Sequence, residues 1–167
     1  LSRKLIIPLA EASKMMDAAY DTYGRIQPWQ SEVEKFARAH GYTQTAYGNR
    51  RHARTVLFSK DKSERKRMVR QLVNAEIQGC AADILKIVLT ECWASNLWRD
   101  TGATLLGPVY DEITSSVPVR TVVEYINRLV SIMTLTPPGH AVPMEASVSL
   151  GRNWRDQIEL GAEPTEE

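Results

Sequence analysis

The sequence predicts an α+β fold, an antiparallel sheet with helices on one face. Two observations carry this. The order along the chain is helices, a basic loop, a long helix, a strand pair, a helix and a strand. Apolar residues recur at helical spacing over most of the chain and give way to β-prone runs in only three places.

The first helix is expected from about Pro8 to Tyr23. Pro8 suits a first turn, Glu11 suits the positive end of the dipole, and Gly24 breaks the helix. A second, about Gln27 to Ala39, stops at His40-Gly41. Gly41 to Thr55 is turn-rich and β-prone. A basic stretch follows: Arg50, Arg51, Arg54, Lys60, Lys62, Arg65, Lys66, Arg67 and Arg70, against Asp61 and Glu64. A long helix is expected over about Ser63 to Trp93. Met68, Val69, Leu72 and Val73 form an apolar side of its first half, and Arg70, Asn74 and Gln78 recur at i, i+4, i+8 as a polar ladder on another. After Gly79 it turns apolar nearly all round, through Ile84, Leu85, Ile87, Val88 and Leu89, and that half is expected to be buried. Ala103 to Val117 gives two strands meeting near Tyr110-Asp111-Glu112, with Leu105, Leu106 and Ile113 as anchors. Val119 to Met133 is an amphipathic helix with Val122, Val123, Ile126, Leu129 and Val130 inward. Thr136 to Gly139 is a loop, Val142 to Leu150 a last strand, and 161–167 a disordered acidic tail.

Composition excludes several classes. With 167 residues, 43% hydrophobic and 25% charged, the chain suits one domain with a real core. No apolar run approaches the ~18 residues a membrane span needs, and no secretory signal opens the chain. The net charge of +1 does not announce a nucleic-acid partner; the local clustering of charge matters more. Cys80 and Cys92 lie twelve positions apart in one expected helix, so ~18 Å apart and too far to bridge. Reduced, buried thiols of a cytosolic-type protein are expected. The four tryptophans are expected in core or interface. Leu1, not Met, opens the chain, which is expected to be a piece of a longer one.

Two adjacent carboxylates at a hairpin end carry chemistry. In mid-strand, Asp111 and Glu112 would point to opposite faces; at a turn both can approach one cation. Mg²⁺ takes oxygen ligands, usually one or two carboxylates plus substrate phosphates. A solvated acidic turn is the alternative. The basic stretch and the ladder weigh against it. Lys and Arg contact phosphates, and Arg, Asn and Gln can donate to the minor-groove acceptors that differ little between sequences.

Five motifs in order then resemble family A DNA polymerases. Pro108-Val-Tyr110-Asp111-Glu112-Ile113 is similar to the family's Val-His-Asp-Glu-Leu hairpin. Arg70-Gln-Leu-Val-Asn74-Ala-Glu-Ile-Gln78-Gly79-Cys-Ala-Ala-Asp83-Ile84 resembles its Arg-x-x-x-Asn-x-x-x-Gln-Gly-Thr-Ala-Ala-Asp-Ile. Gly41-Tyr-Thr-Gln-Thr45-Ala-Tyr-Gly48-Asn49-Arg50-Arg51 resembles its Gly-Tyr-Val-x-Thr-x-x-Gly-Arg-Arg-Arg, Ile7-Pro8 through Glu11-Ala12 its Ile-Pro-x-x-Glu-Ala, and Gly151-x-Asn153-Trp154 its closing Gly-x-Asn-Trp.

The resemblance implies a palm-type antiparallel hairpin sheet packed with helices. It divides the chain into a fingers-derived segment over 1–60 and a palm segment over 61–160. It implies template-directed addition of deoxynucleotides to a primer 3′ end by two Mg²⁺ ions. Asp111 would ligate catalytic metal, with Glu112 beside it. Arg70, Asn74 and Gln78 would contact primer–template, Arg50 and Arg51 the backbone, and Tyr110 the primer end. Gly79 would allow close packing beside the DNA or the hairpin, or serve plain helix packing. The implied partners are primer–template DNA, deoxynucleoside triphosphates and the remaining N-terminal portion of the polymerase. That portion would bring the family's other metal-binding Asp and its nucleotide-gripping helix, so the chain alone is expected to be inactive.

Three positions depart from the pattern. Tyr110 stands in place of His, a phenol hydroxyl where the family has an imidazole. Pro108 stands in place of Gln, and Asn49 at the first Arg of the arginine run. The first two motivate an alternative, a non-catalytic DNA-binding remnant or subunit. Tyr110 and the short connections point to a phage-type replicative source.

Overall fold

The computed structural model describes residues 7–53, 57–135 and 141–160. The expected loop at Thr136–Gly139, the tail over 161–167 and the basic residue Arg54 lie outside them. Two compact units divide between Cys80 and Ala81.

In the first unit, α1 (Leu9–Thr22) follows Pro8, with Glu11 in its first turn. Helix α2 (Ile26–His40) ends on Gly41 at φ 80°, a left-handed cap that a Cβ would oppose. Strands β1 (Tyr42–Gln44) and β2 (Arg50–His52) then pair antiparallel, Thr43 opposite Arg51. The long helix α3 (Lys62–Ala94) begins here and continues into the second unit. Val33, Ala37, Ala53, Leu57 and Leu72 form the core of this unit, with Trp29, Met68, Val69 and Val73 against it. The apolar side expected on the first half of α3 is therefore the one that packs.

The second unit holds the rest of α3, then α4 (Leu97–Thr101), β3 (Thr104–Val109), β4 (Glu112–Ser116), a 3₁₀ turn (Val119–Thr121) and α5 (Val122–Met133). Strands β5 (Val148–Gly151) and β6 (Gln157–Leu160) close it. Its core is Val88, Cys92, Leu97, Ala103 and Tyr125, with Ile84, Trp98, Ile113, Val117, Leu129, Ile132 and Met133 packed on it.

Several expectations are corrected. The fold is α+β as expected, but among the described residues the strands form three separate two-stranded antiparallel hairpins rather than one sheet. The second half of α3 is not buried all round. Val88, Cys92 and Asp83 are buried, but Ala81, Ala82, Ile87 and Trp93 are exposed. An apolar face shows only that something could cover it. On α5 the buried residue is Tyr125, and Val123 is exposed. The last strand is shorter than expected, and β6, all of whose residues are exposed, pairs with it. Trp29 and Trp98 pack as expected, but Trp93 and Trp154 are exposed.

Candidate functional site

The first group of candidate residues sits on the first unit. Arg70, Asn74 and Gln78 are all exposed along α3, on residues spaced one helical row apart. The β1–β2 hairpin is fastened to the same helix at three points. The Thr43 hydroxyl donates to Glu76, and the Ala46 N–H donates to Cys80 Sγ at 3.3 Å. Thr45 lies against Gly79, where a Cβ would fall 2.5 Å from its Cγ2. Gly79 is thus a packing site for the hairpin loop. That loop is closed by the Thr45 hydroxyl, which accepts from the N–H groups of Tyr47 and Asn49 at 3.3 and 3.2 Å. Gly48, at φ 86°, turns it.

Arg50 and Arg51 are exposed on β2. The Arg50 guanidinium lies 4.5 Å over the Tyr42 ring, a cation–π contact. Tyr42 in turn meets Phe36 and His40 edge-on and the His52 ring at 5.8 Å, and Phe36 stacks on His40 at 4.1 Å. This aromatic and histidine group was not foreseen from the sequence. The available signal was Tyr42 and His52 at the two ends of one hairpin.

The second group sits on the second unit. Tyr110 and Asp111 form a two-residue turn, and Glu112 is already the first residue of β4, paired with Val109. The carboxylates are therefore adjacent, one in the turn and one at the strand start, and all three side chains are exposed. Tyr110 is held at φ 57°, the left-handed region that a tyrosine rarely adopts. The ladder breaks once, between Leu105 and Gly107, where Leu106 is an extra residue and Gly107 takes φ 148°. Ile113 packs on the core as expected, but Leu105 and Leu106 are exposed and do not anchor the hairpin. Its support comes from α5, whose Tyr125 hydroxyl donates to Ser115 Oγ at 2.6 Å. Burial raises the Tyr125 phenol above its ordinary value, and the Ser115 contact opposes this. Arg128 on the same helix donates to the Ser95 carbonyl at 2.7 Å and bridges to Glu124 and Asp100. The hairpin thus stands on a fixed base with its acidic end free.

Asp111 and Glu112 provide two hard oxygen donors with no built cage. Among the described residues, no group of three His, Cys, Asp or Glu could hold a metal ion. Such a pair fits an ion completed by phosphates or by groups from elsewhere, as Mg²⁺ is commonly held.

The closing Gly-x-Asn-Trp residues have local work. A Cβ on Gly151 would strike the Asp156 carbonyl, and Asn153 Oδ1 accepts from the N–H groups of Arg155 and Asp156 at 2.9 Å each.

With an acid-tipped hairpin and a helix bearing a polar ladder in place, comparison with known proteins gives the class. The model of DNA polymerase family A matches residues 1–156, and the chain belongs to that family. It is similar to the thermostable DNA polymerase I of Thermus thermophilus, 29% identical over 154 residues, covering 92% of this chain and 18% of that protein. It is also similar to DNA polymerase I of Deinococcus radiodurans, 32% identical over 156 residues, covering 93% and 16%. Among solved structures, the polymerase domain of Pol1 from M. smegmatis, in complex with DNA primer-template and dNTP, superposes with a TM-score of 0.77. It is 31% identical and covers 87% of this chain and 25% of that one. The chain therefore spans less than a fifth of the length of these curated relatives. No helix among the described residues is long and apolar enough to cross a membrane.

Proposed function

We propose that this chain is the fingers-base and palm portion of a DNA-directed DNA polymerase, acting in the cytoplasm on primer–template DNA and deoxynucleoside triphosphates. The observation that carries this reading is the β3–β4 hairpin. In a family A chain, it presents Asp111 and Glu112 at an exposed end on a base fixed by Ile113 and Tyr125. Asp111 and Glu112 would hold Mg²⁺, which when bound stabilises the attacking and leaving oxygens of an in-line phosphoryl displacement. Tyr110 can offer its hydroxyl to a phosphate or sugar of the primer end. Arg70, Asn74 and Gln78 would hold the duplex through acceptors nearly common to all base pairs, so grip would not depend on sequence. Arg50, kept in place by the Tyr42 ring, and Arg51 would take backbone phosphates.

The remaining N-terminal portion would supply the other metal ligand. The test is Mg²⁺-dependent primer extension with that piece added in trans. Extension is expected with the wild-type chain. None is expected from the isolated chain, nor with Asp111→Ala, which should still bind DNA. Extension that survives Asp111→Ala would remove the metal role. DNA binding without extension in either version would favour a non-catalytic DNA-binding subunit.

A further inference from the structure

We propose that the cleft between α2 and the first turns of α3 is a second phosphate site, one that grips the backbone of a DNA strand along a row of cations from Lys62 to Arg70. The identity of the strand rests on the polymerase reading above; the anion preference rests on the cleft itself. One wall carries Glu34 and Arg38, and the other carries Lys62, Arg65, Lys66 and Arg70, with Val69 between them. Five cations thus meet one carboxylate. Glu34 is already engaged, accepting from Arg38 Nε and Nη2 at 2.9 and 2.7 Å, and Arg38 Nη1 reaches the Leu57 carbonyl at 3.3 Å. Arg65 is pinned by the carbonyls of Ser59 and Lys60, at 2.5 and 3.0 Å. Lys62, Lys66 and Arg70 are exposed and have no hydrogen-bond or ion-pair partner among the described residues.

These cations do not serve the helix. Lys62, Lys66 and Arg67 crowd the first two turns of α3, where the positive end of the dipole disfavours them. Its packing uses Met68, Val69, Leu72 and Val73 instead. A local rule broken without an internal return is expected where a ligand supplies the missing charge. The spacing says which ligand. Lys62, Lys66 and Arg70 follow one i, i+4, i+8 row about 12 Å long, too long for a single small anion. A nucleic-acid strand, with one charge per about 3.4 Å of axis, can meet all three. The same row continues into Asn74 and Gln78, so the cationic run leads into the polar ladder.

The test measures binding of fluorescein-labelled oligonucleotides, single-stranded and primer–template, by anisotropy over a series of NaCl concentrations. The 167-residue chain is compared with Lys62→Gln/Lys66→Gln, with Lys62→Arg/Lys66→Arg, and with Lys14→Gln/Arg25→Gln, which removes two exposed cations outside the cleft. The Gln pair in the cleft is expected to flatten the dependence of log K on log salt by roughly 1.4 to 1.8, two phosphate contacts' worth. The Arg pair and the outside pair should retain the wild-type slope. An unchanged slope for the cleft pair, an equal loss from the outside pair, or no oligonucleotide binding by the wild-type chain at low salt would each overturn the proposal. A flattened slope with extension that ignores Asp111→Ala would instead sink the catalytic reading and leave the cleft standing.

Discussion

Tyr110 sits at φ 57° with its side chain 94% exposed, so the turn bears backbone strain that no packing of the ring returns. Left-handed backbone costs an L-residue about 1–2 kcal/mol, and asparagine tolerates it better. Tyr110→Asn is therefore expected to raise stability by about 0.5–1 kcal/mol, read as a higher Tm, while weakening primer extension in the complemented enzyme. An unchanged or lower Tm would mean the turn is not strained. Cys92, fully buried, has its thiol pushed up to about 11 by burial, against an ordinary 9.0. At pH 8 iodoacetamide should label the half-buried Cys80 and spare Cys92, a difference that mass spectrometry of the peptides resolves. The unfolded chain gives up the Cys92 proton first. The stability this neutral thiol preserves is whole below about pH 9 and is lost as pH rises toward about 11. Urea midpoints should fall over that window, and fall less in Cys92→Ala. At this scale the carboxylate pair was legible, because adjacent acids between two β-prone runs have few places to be. The strained φ of Tyr110 was not, because nothing about tyrosine announces a left-handed turn.

Helices α1, α2 and α3 were legible to within a residue, since Pro8 and Gly41 act locally and need no knowledge of the rest; α4 was not foreseen, and α5 begins at Val122 rather than Val119, the three residues before it forming a 3₁₀ turn. The long helix was legible in extent but not in its surroundings. Whether Ile87 and Trp93 are covered depends on what meets them, which periodicity does not encode. Strand β6 was missed because Gln157, Ile158, Glu159 and Leu160 are all exposed and carry no buried face to read. Gly79 marks where α3 meets the hairpin loop. Gly79→Ala gains about 1 kcal/mol of helix propensity but drives a methyl into Thr45, whose hydroxyl is committed to the loop. Overpacking of this kind costs about 1–3 kcal/mol, so a net loss of up to about 2 kcal/mol is expected by urea unfolding. Thr45→Ser, which removes the offending methyl and keeps the hydroxyl, should recover most of it. No recovery would place the cost elsewhere.

Each unit has its own apolar cluster, yet Trp93 at 77% and Trp154 at 68% remain open to solvent. On the polymerase reading, adding the N-terminal portion in trans should shift tryptophan emission to the blue, and Trp93→Phe or Trp154→Phe should diminish the shift. An emission spectrum that does not move would mean neither ring is covered. Family membership was legible from the whole chain because five motifs occur in order; any one of them alone was compatible with an ordinary turn or helix.

Between Arg50 and Arg70 lie nine cations and two acids in a chain of net charge +1, so the remainder is acidic on balance. One wall of the basic cleft lies within that stretch, and its clustering governs how the molecule meets any charged surface. At its isoelectric point near 8.0 the net electrical force vanishes, but the charge asymmetry does not. A sulfonate resin at that pH would still hold the protein through its basic stretch, and a quaternary-amine resin through its acidic remainder. Titration gives this molecule one isoelectric point, while chromatography would meet a basic stretch and an acidic remainder.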